Sequence, residues 1–323
     1  MDIRKEYYSP KHHEQLLEYM KRVFPNRAPE YLSWWLEGMH MGGEILWKKG
    51  VILFDKEEII GCTTANLCRI LEDGEPVEDG FWRGNTIVSD SYRGKGLSKL
   101  IYSEMNQYDH WFSVGITDIA WKIQPHLVKN FHPLKPVHVY VGLSIIPFLF
   151  RRKANPDSVI IDKTYRLDRA KSVEDISFPL SGRWTDERYE LVRDQEFVKS
   201  RFFDIYRAAQ YSVYKIVKNS AEVGYVVVRP IRYRGVHMLS VVDFRIKGGD
   251  YKLILKAAKE LAWAFHFYAF IMLTNHVFPS LSFGPLVLRM KKELHFATSF
   301  EELSKIGLLV TSADSDLDFV YYT

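Results

Sequence analysis

One strand–loop–helix stretch constrains the fold more than any other part of the sequence. An apolar, β-rich run at 81–88 is followed by a turn, by Gly94 and Gly96, and by an amphipathic helical pattern over 99–110. Glycines let a backbone approach a ligand closely, and the first amides of a helix have no partner inside the helix. Residues 93–98 therefore predict a loop whose main-chain N–H groups can hold phosphate oxygens.

Two better-known phosphate loops do not fit this stretch. The sequence has no GxxxxGK[ST] pattern, which excludes a P-loop, and its glycine spacing is not the GxGxxG of dinucleotide-binding folds. A plain helix start with chance glycines is the alternative that these residues alone leave open.

The first half of the chain has the pattern of a mixed α and β domain. Helical or strand periodicity precedes and follows the glycine loop. The predicted elements are helices at 12–24 and 31–39, a hairpin over 50–67, a strand at 114–121, a short helix at 125–131 and an apolar strand at 137–150.

The same order of elements starts again in the second half. Residues 151–183 contain clustered Arg, Pro and Ser and are predicted to be a connector, with a strand possible at 158–167. Beyond them the predicted elements are helices at 186–200, 251–265 and 286–292 and strands at 211–218, 224–229, 237–244, 267–273, 308–312 and 319–322. We therefore predict an α/β fold with mixed sheets, arranged as tandem domains at 1–150 and 184–323. A single large mixed domain is the alternative.

Composition excludes several classes of function. The 44 basic and 40 acidic residues are too balanced for general nucleic-acid binding. Cys62 and Cys68 have neither CxxC nor zinc-finger spacing, and we expect two free thiols and no metal. The longest apolar runs, 137–150 and 261–273, are shorter than the ~20 residues of a membrane-spanning helix, and the charged N-terminus does not resemble a secretory signal. A cytoplasmic protein without a membrane span is expected.

The loop resembles that of a known enzyme family. Arg93-x-x-Gly96-x-Ser98, between a strand and an amphipathic helix, is similar to the pyrophosphate loop of the GNAT acyltransferase superfamily, whose pattern is Gln or Arg, then xxGx, then Gly or Ala. Ser98 departs slightly from that pattern. The resemblance covers residues 3–150 and implies an acyl-CoA-dependent N-acyltransferase, with acyl-CoA as co-substrate and an amine as acceptor.

The resemblance also implies roles for individual residues. The strand before the loop would hold the pantetheine arm, and the loop amides would hold the pyrophosphate. The implied coenzyme-binding residues are Ile87, Val88, Arg93, Gly94, Lys95, Gly96, Leu97, Ser98 and Asn130. The catalytic candidates are Asn85, which could orient an amine or a water, Gln124, which stands where the family often has Asn, and His126, a candidate base. Phe131 lacks the hydroxyl of the family's tyrosine acid.

The second half has no equivalent loop. Residues 243–250 occupy the corresponding place, and acidic Asp250 would repel a pyrophosphate. We therefore expect this half to support or bind the acceptor. Its basic and aromatic residues could hold the diphosphate and base of a nucleotide, although a solvated hairpin with scattered arginines is an equal alternative. The substrate-binding candidates are Arg229, Arg232, Tyr233 and Arg245.

One complete unit followed by a degenerate one is similar to bacterial sugar N-acyltransferases. The resemblance implies transfer of an acetyl or short hydroxyacyl group to a nucleotide-linked amino sugar, such as dTDP-3-amino-3,6-dideoxyhexose, for surface polysaccharide or O-antigen lipopolysaccharide. The alternatives are a GNAT enzyme that acts on a peptide, aminoacyl or antibiotic amine, and a non-catalytic acyl-CoA sensor.

Overall fold

The chain forms two compact units in a computed structural model, which describes residues 1–323 except 78–79, 145–154, 180–182, 186, 205–207, 234, 279–285, 315–316 and 318–323. The first unit comprises Met1–Ile70, Pro76–Lys135 and Leu294–Gly307. The second comprises Leu71–Glu75, Pro136–Glu293 and Leu308–Thr323. No helix in the described ranges is long and apolar enough to cross a membrane.

Strands and helices alternate along the chain. The strands are β1 (Ile3–Tyr7), β2 (Val51–Asp55), β3 (Glu58–Cys68), β4 (Ile70–Glu72), β5 (Glu75–Pro76), β6 (Gly80–Val88), β7 (Trp111–Ile116), β8 (His132–Pro133), β9 (Val137–Leu143), β10 (Ser158–Ile160), β11 (Tyr165–Ala170), β12 (Tyr189–Leu191), β13 (Ser212–Lys218), β14 (Ala221–Tyr233), β15 (Val236–Ile246), β16 (Ala269–Thr274) and β17 (Leu286–Thr298). The α-helices are α1 (His13–Val23), α2 (Pro29–Met41), α3 (Gly43–Trp47), α4 (Ser98–Glu104), α5 (Asp118–Leu127), α6 (Gln195–Val198), α7 (Tyr251–Ala264) and α8 (Glu301–Ile306).

The first unit is built on a mixed sheet in the order β1-β2-β3-β6-β7-β17. Neighbouring strands are antiparallel, except that β6 and β7 run parallel. A parallel pair needs a crossover, and here the glycine loop and α4 make it. The predicted helices at 12–24 and 31–39, the hairpin and the strand at 81–88 are confirmed within a few residues.

The second unit repeats the pairing pattern of the first, although its last strand, β9, comes first in the sequence. Its strands follow the order β11-β13-β14-β15-β16-β9, with β10 added beside β11. Again one pair, β15 with β16, is parallel, and α7 makes the crossover. The predicted mixed α/β fold class is therefore confirmed, and the element order that the sequence repeats corresponds to a repeated sheet topology.

The last strand of each sheet lies outside the domain to which the sequence pattern assigns it. β9 pairs with β16 in the second unit, although the sequence pattern assigned residues 137–150 to the first domain. The end of β17 pairs with β7 in the first unit. The structure thus differs from the predicted boundaries 1–150 and 184–323, because sheet pairing rather than proximity in sequence decides where a strand lies.

The predicted connector at 151–183 contains two strands in the region where the sequence allows one at 158–167. β10 and β11 lie within it and join the second sheet. Its polar composition reflects the position of these strands at the sheet edge, where alternate side chains are exposed. Residues 145–150 of the predicted strand at 137–150, and the predicted strand at 319–322, lie outside the described residues.

Five predicted elements are wrong, and one of them is the strand at 308–312, where Thr311 forms only an isolated bridge to Thr274. The strand predicted at 114–121 ends at residue 116, because Thr117 caps α5 by accepting a hydrogen bond from the N–H of Ala120 (3.3 Å). The helix predicted at 125–131 is α5, which begins seven residues earlier, at Asp118. Most of the helix predicted at 186–200 is absent, since 189–191 pair as a strand and Asp194 caps α6. The helix predicted at 286–292 is the first part of β17.

Candidate active site

The loop at 93–98 is held at its two ends and open in the middle. Leu97 and Ile101, one helical turn apart, are buried against Val51, Leu53 and Ile60 of the sheet and fix the start of α4. Before the loop, the N–H of Ser89 donates to the Ile60 carbonyl oxygen (2.8 Å), and the Tyr92 hydroxyl donates to Asp55 (2.9 Å). The four residues 93–96 between these anchors are exposed.

The backbone of the loop presents free donors. Gly94 and Gly96 have φ angles of 78° and 75°, a region that favours glycine, and a Cβ on either would meet no atom within 4 Å. In the described structure, the main-chain N–H groups of residues 94–98 donate no hydrogen bond. The loop therefore offers several amides on an open surface, beside the exposed cations Arg93 and Lys95.

An opening in the sheet begins beside this loop. The last parallel pair between β6 and β7 joins Trp82 to Phe112, although β6 runs on to residue 88 and β7 to residue 116. We call the space between 83–88 and 113–116 the interstrand gap. Within the described residues, no other stretch of backbone forms hydrogen bonds to both 83–88 and 113–116.

The strand that borders the interstrand gap contains a β-bulge. Thr64 pairs with Gly84 and Cys62 with Ile87, so Asn85 and its neighbour face a single residue of β3. Asn85 has a φ of 51°, an uncommon value that asparagine tolerates better than most residues. A bulge bends a strand and takes one residue out of the ladder, which is how β6 turns away from β7.

Asn85 is buried and its side chain is engaged. It accepts a hydrogen bond from Arg27, and its amide nitrogen donates to the Thr64 hydroxyl (3.3 Å). These partners hold the bulge, so the structure gives Asn85 a role in shaping the strand. Ile87 and Val88 are the strand residues predicted to hold the pantetheine arm. Backbone N–H and C=O groups of successive residues in a strand point to alternate sides. Because the Ser89 N–H bonds to β3, the backbone groups of Val88 point the other way, toward the interstrand gap. Ile87 by the same alternation faces β3.

The other two catalytic candidates lie on different sides of α5. Gln124 is 2% exposed and accepts a hydrogen bond from Arg83 (3.0 Å). His126 is exposed, because two residues along a helix turn the side chain to the opposite face. Gln124 and His126 therefore face different surroundings, and the role of His126 as a base stays a prediction. Asn130 is also exposed, after the end of α5.

Arg83 is a site residue that the sequence reasoning missed. It lies on β6 directly after the last β6–β7 pair and is 4% exposed. The signal was present, since an arginine stands within the apolar run 81–88. A charge in a strand that is buried on both faces requires a specific reason.

The second unit repeats this geometry but fills its opening. The last β15–β16 pair joins Val241 to Met272, and β15 continues to residue 246. We call the space beyond this pair the second-unit gap. Residues 310–314 occupy it: the Ala313 N–H donates to the Val242 carbonyl oxygen (2.9 Å), and Thr311 bridges to Thr274.

Buried ion pairs hold this filling segment in place. Arg193 contacts Asp243 (2.9 Å) and Asp314 (2.5 Å), and the Thr311 hydroxyl donates to Asp243 (2.7 Å). Arg245 also contacts Asp243 (3.1 Å). Burial alone would raise the pKa of Asp243, but Arg193 and Arg245 lower it, so the carboxylate is charged.

The predicted basic cluster for a nucleotide is not assembled. Arg245 is 0% exposed and bound to Asp243, and Arg229 is 3% exposed, so neither guanidinium faces solvent. Arg232 is exposed and donates to the Gly235 carbonyl oxygen (3.4 Å), and Tyr233 lies near the same hairpin tip. Arg245 lies opposite Tyr225 of β14, and Arg232 lies seven residues further along the same strand. Seven residues of extended strand span about 23 Å, so Arg245 and Arg232 are far apart.

Solved structures with a similar fold are GCN5-related acetyltransferases. One from Anabaena variabilis has a TM-score of 0.61 at 11% identity, covering 92% of this chain and 73% of its own. One from Kribbella flavida has a TM-score of 0.57 at 12% identity, covering 91% and 70%. A conserved protein of unknown function from Enterococcus faecalis V583, described as a probable N-acyltransferase, has a TM-score of 0.61 at 10% identity, covering 93% and 74%.

Comparisons of sequence give no match. No family model matches the chain, and no curated protein matches it either. At identities of 10–12%, the structural similarity concerns the fold alone. The chain thus has the mixed α/β fold of the GCN5-related N-acetyltransferases.

Proposed function

We propose that the first unit binds an acyl-CoA and transfers its acyl group to a primary amine. The observation that carries this proposal is the loop at 93–98, which follows the strand that borders the interstrand gap, is exposed at 93–96 and has main-chain N–H groups at 94–98 that donate no hydrogen bond among the described residues. A diphosphate needs several donors that converge on an open surface, and the loop supplies them from main chain and from Arg93 and Lys95.

The interstrand gap suits the pantetheine arm. That arm contains two amide groups, which can hydrogen-bond to the edge of a strand as a neighbouring strand would. Val88 presents its backbone groups to this edge, and its carbonyl oxygen currently accepts a long bond from Arg93 Nε (3.4 Å). A bound arm would replace that weak contact.

Positioning can supply most of the catalysis. The amine attacks the thioester carbon as the free base, and the developing oxyanion needs backbone donors already in place. The bulge at Asn85 takes a residue out of the ladder, so we propose that a main-chain N–H there faces the thioester oxygen. This assignment gives Asn85 a structural part in catalysis through its contacts with Arg27 and Thr64.

The acceptor is proposed only as a primary amine. A nucleotide-linked amino sugar is the acceptor that the tandem arrangement suggests, but two of the four residues selected to bind its nucleotide are buried. Arg232 and Tyr233 at the β14–β15 hairpin are the two that a nucleotide could reach. Replacement of both would test the nucleotide sugar separately from acyl transfer.

The decisive experiment has two steps. Calorimetry first measures binding of coenzyme A and acetyl-CoA to the wild-type protein. Thiol release is then followed with acetyl-CoA and an amine panel that includes a dTDP-linked amino sugar, peptides and aminoglycosides. Binding with acceptor-dependent thiol release is the expected result. Binding without release from any amine would favour an acyl-CoA sensor, and absence of binding would refute the proposal.

A further inference from the structure

Arg83 is a buried cation that spans the closed end of the interstrand gap. Its side chain starts on β6, and its Nη2 reaches the Ser113 hydroxyl on β7 (3.3 Å) and Gln124 on α5 (3.0 Å). Nη1 contacts the sulfur of Met105, and the guanidinium carbon lies 5.1 Å from the centre of the Tyr102 ring. The guanidinium thus covers the first positions at which β6 and β7 no longer pair.

One donor of this guanidinium has no acceptor. Arg83 Nε is buried, and none of the described residues accepts a hydrogen bond from it. A buried N–H without a partner costs about 1–3 kcal/mol, and more when it is charged, so it is seldom left in place without a use. The structure therefore contains a buried, charged donor that has no acceptor among the described residues.

The charge of Arg83 also has no counter-ion. Within the described residues, no carboxylate lies at ion-pair distance from it, whereas Arg193 in the second unit has two. Burial lowers the pKa of Arg83 to about 10, which still leaves it cationic at neutral pH. The group is suited to an anion that is present only part of the time.

The second unit supplies an internal comparison. The residue directly after the last parallel pair is Arg83 in β6 and Val242 in β15. In the second-unit gap, which residues 310–314 fill, the side chain at this position is apolar. At the open interstrand gap of the first unit, the side chain carries a guanidinium.

The pantetheine arm has the right length to reach this group. About 13 bonds separate the phosphorus from the sulfur, and they span about 16 Å when extended. The strand from Val88 back to Arg83 spans about 17 Å. With its diphosphate on the loop at 93–98, the arm would place its sulfur near the closed end of the interstrand gap.

We propose that Arg83 donates its Nε–H to the sulfur of the coenzyme and stabilises the thiolate as it leaves. This role rests on the proposed acyl transfer. The amine nitrogen bonds to the acyl carbon, the carbon–sulfur bond breaks, and the sulfur departs with the electron pair of that bond. The nitrogen loses its extra proton to water, and Arg83 keeps its own proton throughout.

A sulfur atom fits the free donor better than an acyl carboxylate does. Arginine binds a carboxylate through two parallel N–H groups. Nη2 already donates to Ser113 and Gln124 and Nη1 contacts Met105, so Nε is the one nitrogen of this guanidinium without a contact among the described residues. A single N–H suits a one-atom acceptor.

The thiol of bound coenzyme A reports on this contact directly. We compare the wild-type protein, Arg83→Met and Arg83→Lys by following thiolate absorbance during a pH titration of the complex. In the wild-type complex the thiol is expected to titrate about 1 pH unit or more below free coenzyme A, because a cation lies beside it. Arg83→Lys should retain part of that shift, and Arg83→Met should lose it.

Arg93→Met is the matched control. It removes an arginine at the other end of the arm, so it should weaken the affinity for coenzyme A without changing the titration of the thiol. Binding of desulfo-coenzyme A gives a second measurement. At alkaline pH the wild-type protein should bind coenzyme A more tightly than desulfo-coenzyme A, which lacks the thiolate. Arg83→Met should bind the two ligands with equal affinity.

The outcomes separate the two proposals. If the wild-type protein binds coenzyme A and its thiol titrates as in solution, the role of Arg83 is refuted and acyl transfer stands. If Arg83→Met changes only a preference for succinyl-CoA over acetyl-CoA, Arg83 binds an acyl carboxylate and the sulfur contact is refuted. If no coenzyme A binds, both fall. Should Arg83→Met not fold, the wild-type titration alone decides.

Discussion

The N–H of Ala313 donates to the carbonyl oxygen of Val242 across 2.9 Å, at the place where β15 turns away from β16. Through this bond and the bridge from Thr311 to Thr274, a segment near the end of the chain fills the second-unit gap. The two units therefore share a sheet topology and differ in what enters the sheet. Among the described residues, an open edge beside a loop of free amides occurs in the first unit and not in the second.

The filled second-unit gap predicts one coenzyme per chain. A pantetheine arm would have to displace residues 310–314, which are anchored by buried ion pairs of Arg193. Calorimetric titration with coenzyme A should give a stoichiometry of one. Two equivalent sites would contradict this account of the second unit.

Gly96→Leu should weaken binding of coenzyme A by more than tenfold. A side chain at this position would occupy the surface that the diphosphate needs, and the positive φ adds strain of about 1–3 kcal/mol. Gly307→Leu is the control, because Gly307 also has a positive φ with open space around its Cβ and lies after α8. Both variants should lose similar thermal stability, whereas only Gly96→Leu should lose affinity. Equal affinities would argue against the loop as the diphosphate site.

Gln124 and His126 should behave differently when replaced. Removal of a general base lowers the rate by about 10²–10⁴-fold, whereas we expect His126→Ala to change kcat/KM by less than about twofold, because its side chain is exposed. Gln124→Leu should lower kcat/KM by about tenfold or more. It removes the acceptor of an Arg83 hydrogen bond, and leaving that buried donor without a partner costs about 1–3 kcal/mol. Thiol release with a saturating amine measures both. A pH profile that loses its acidic limb in His126→Ala would restore the histidine as a base.

Asp243→Asn should destabilise the protein by about 3–5 kcal/mol, because Arg193 and Arg245 would keep their buried charges without it. Asp157→Asn removes a partner of an exposed ion pair with Arg169 and should cost less than about 1 kcal/mol. Urea denaturation monitored by tryptophan fluorescence measures the difference. A similar small loss in both variants would show that the buried network contributes little.

The stability contributed by Asp243 should depend on pH with a defined sign. The pKa of Asp243 in the folded chain is below its ordinary value, so the unfolded chain binds more protons as the pH falls. The stabilisation by Asp243 is complete above about pH 4 and is lost as the pH drops through its folded pKa. The wild-type protein should therefore lose stability more steeply than Asp243→Asn below pH 4. Parallel curves would contradict this.

The sequence predicts the loop and its surrounding elements well, because local chemistry determines them. Gly94 and Gly96 must adopt positive φ angles, and the apolar runs on either side have the periods of a strand and a helix. The role of these residues in binding a coenzyme stays a prediction.

Long-range pairing is what the sequence pattern does not contain. β17 was predicted as a helix at its start because Leu286–Lys292 has no clear alternation, and its strand partners lie far away in the sequence. The basic cluster failed for a related reason. Arg245 and Arg229 look like surface residues in the sequence, and only the folded network shows that carboxylates and aromatic rings surround them.

The contribution of β17 to the first unit has a consequence for how the protein is made. A ribosome that has produced residues 1–150 has not yet produced the strand that pairs with β7, since it comes at residues 295–298. The nascent first unit must wait, with one sheet edge unprotected, until residues 295–298 have emerged. Fragments that stop at residue 150 should therefore aggregate, even though they contain the entire loop at 93–98.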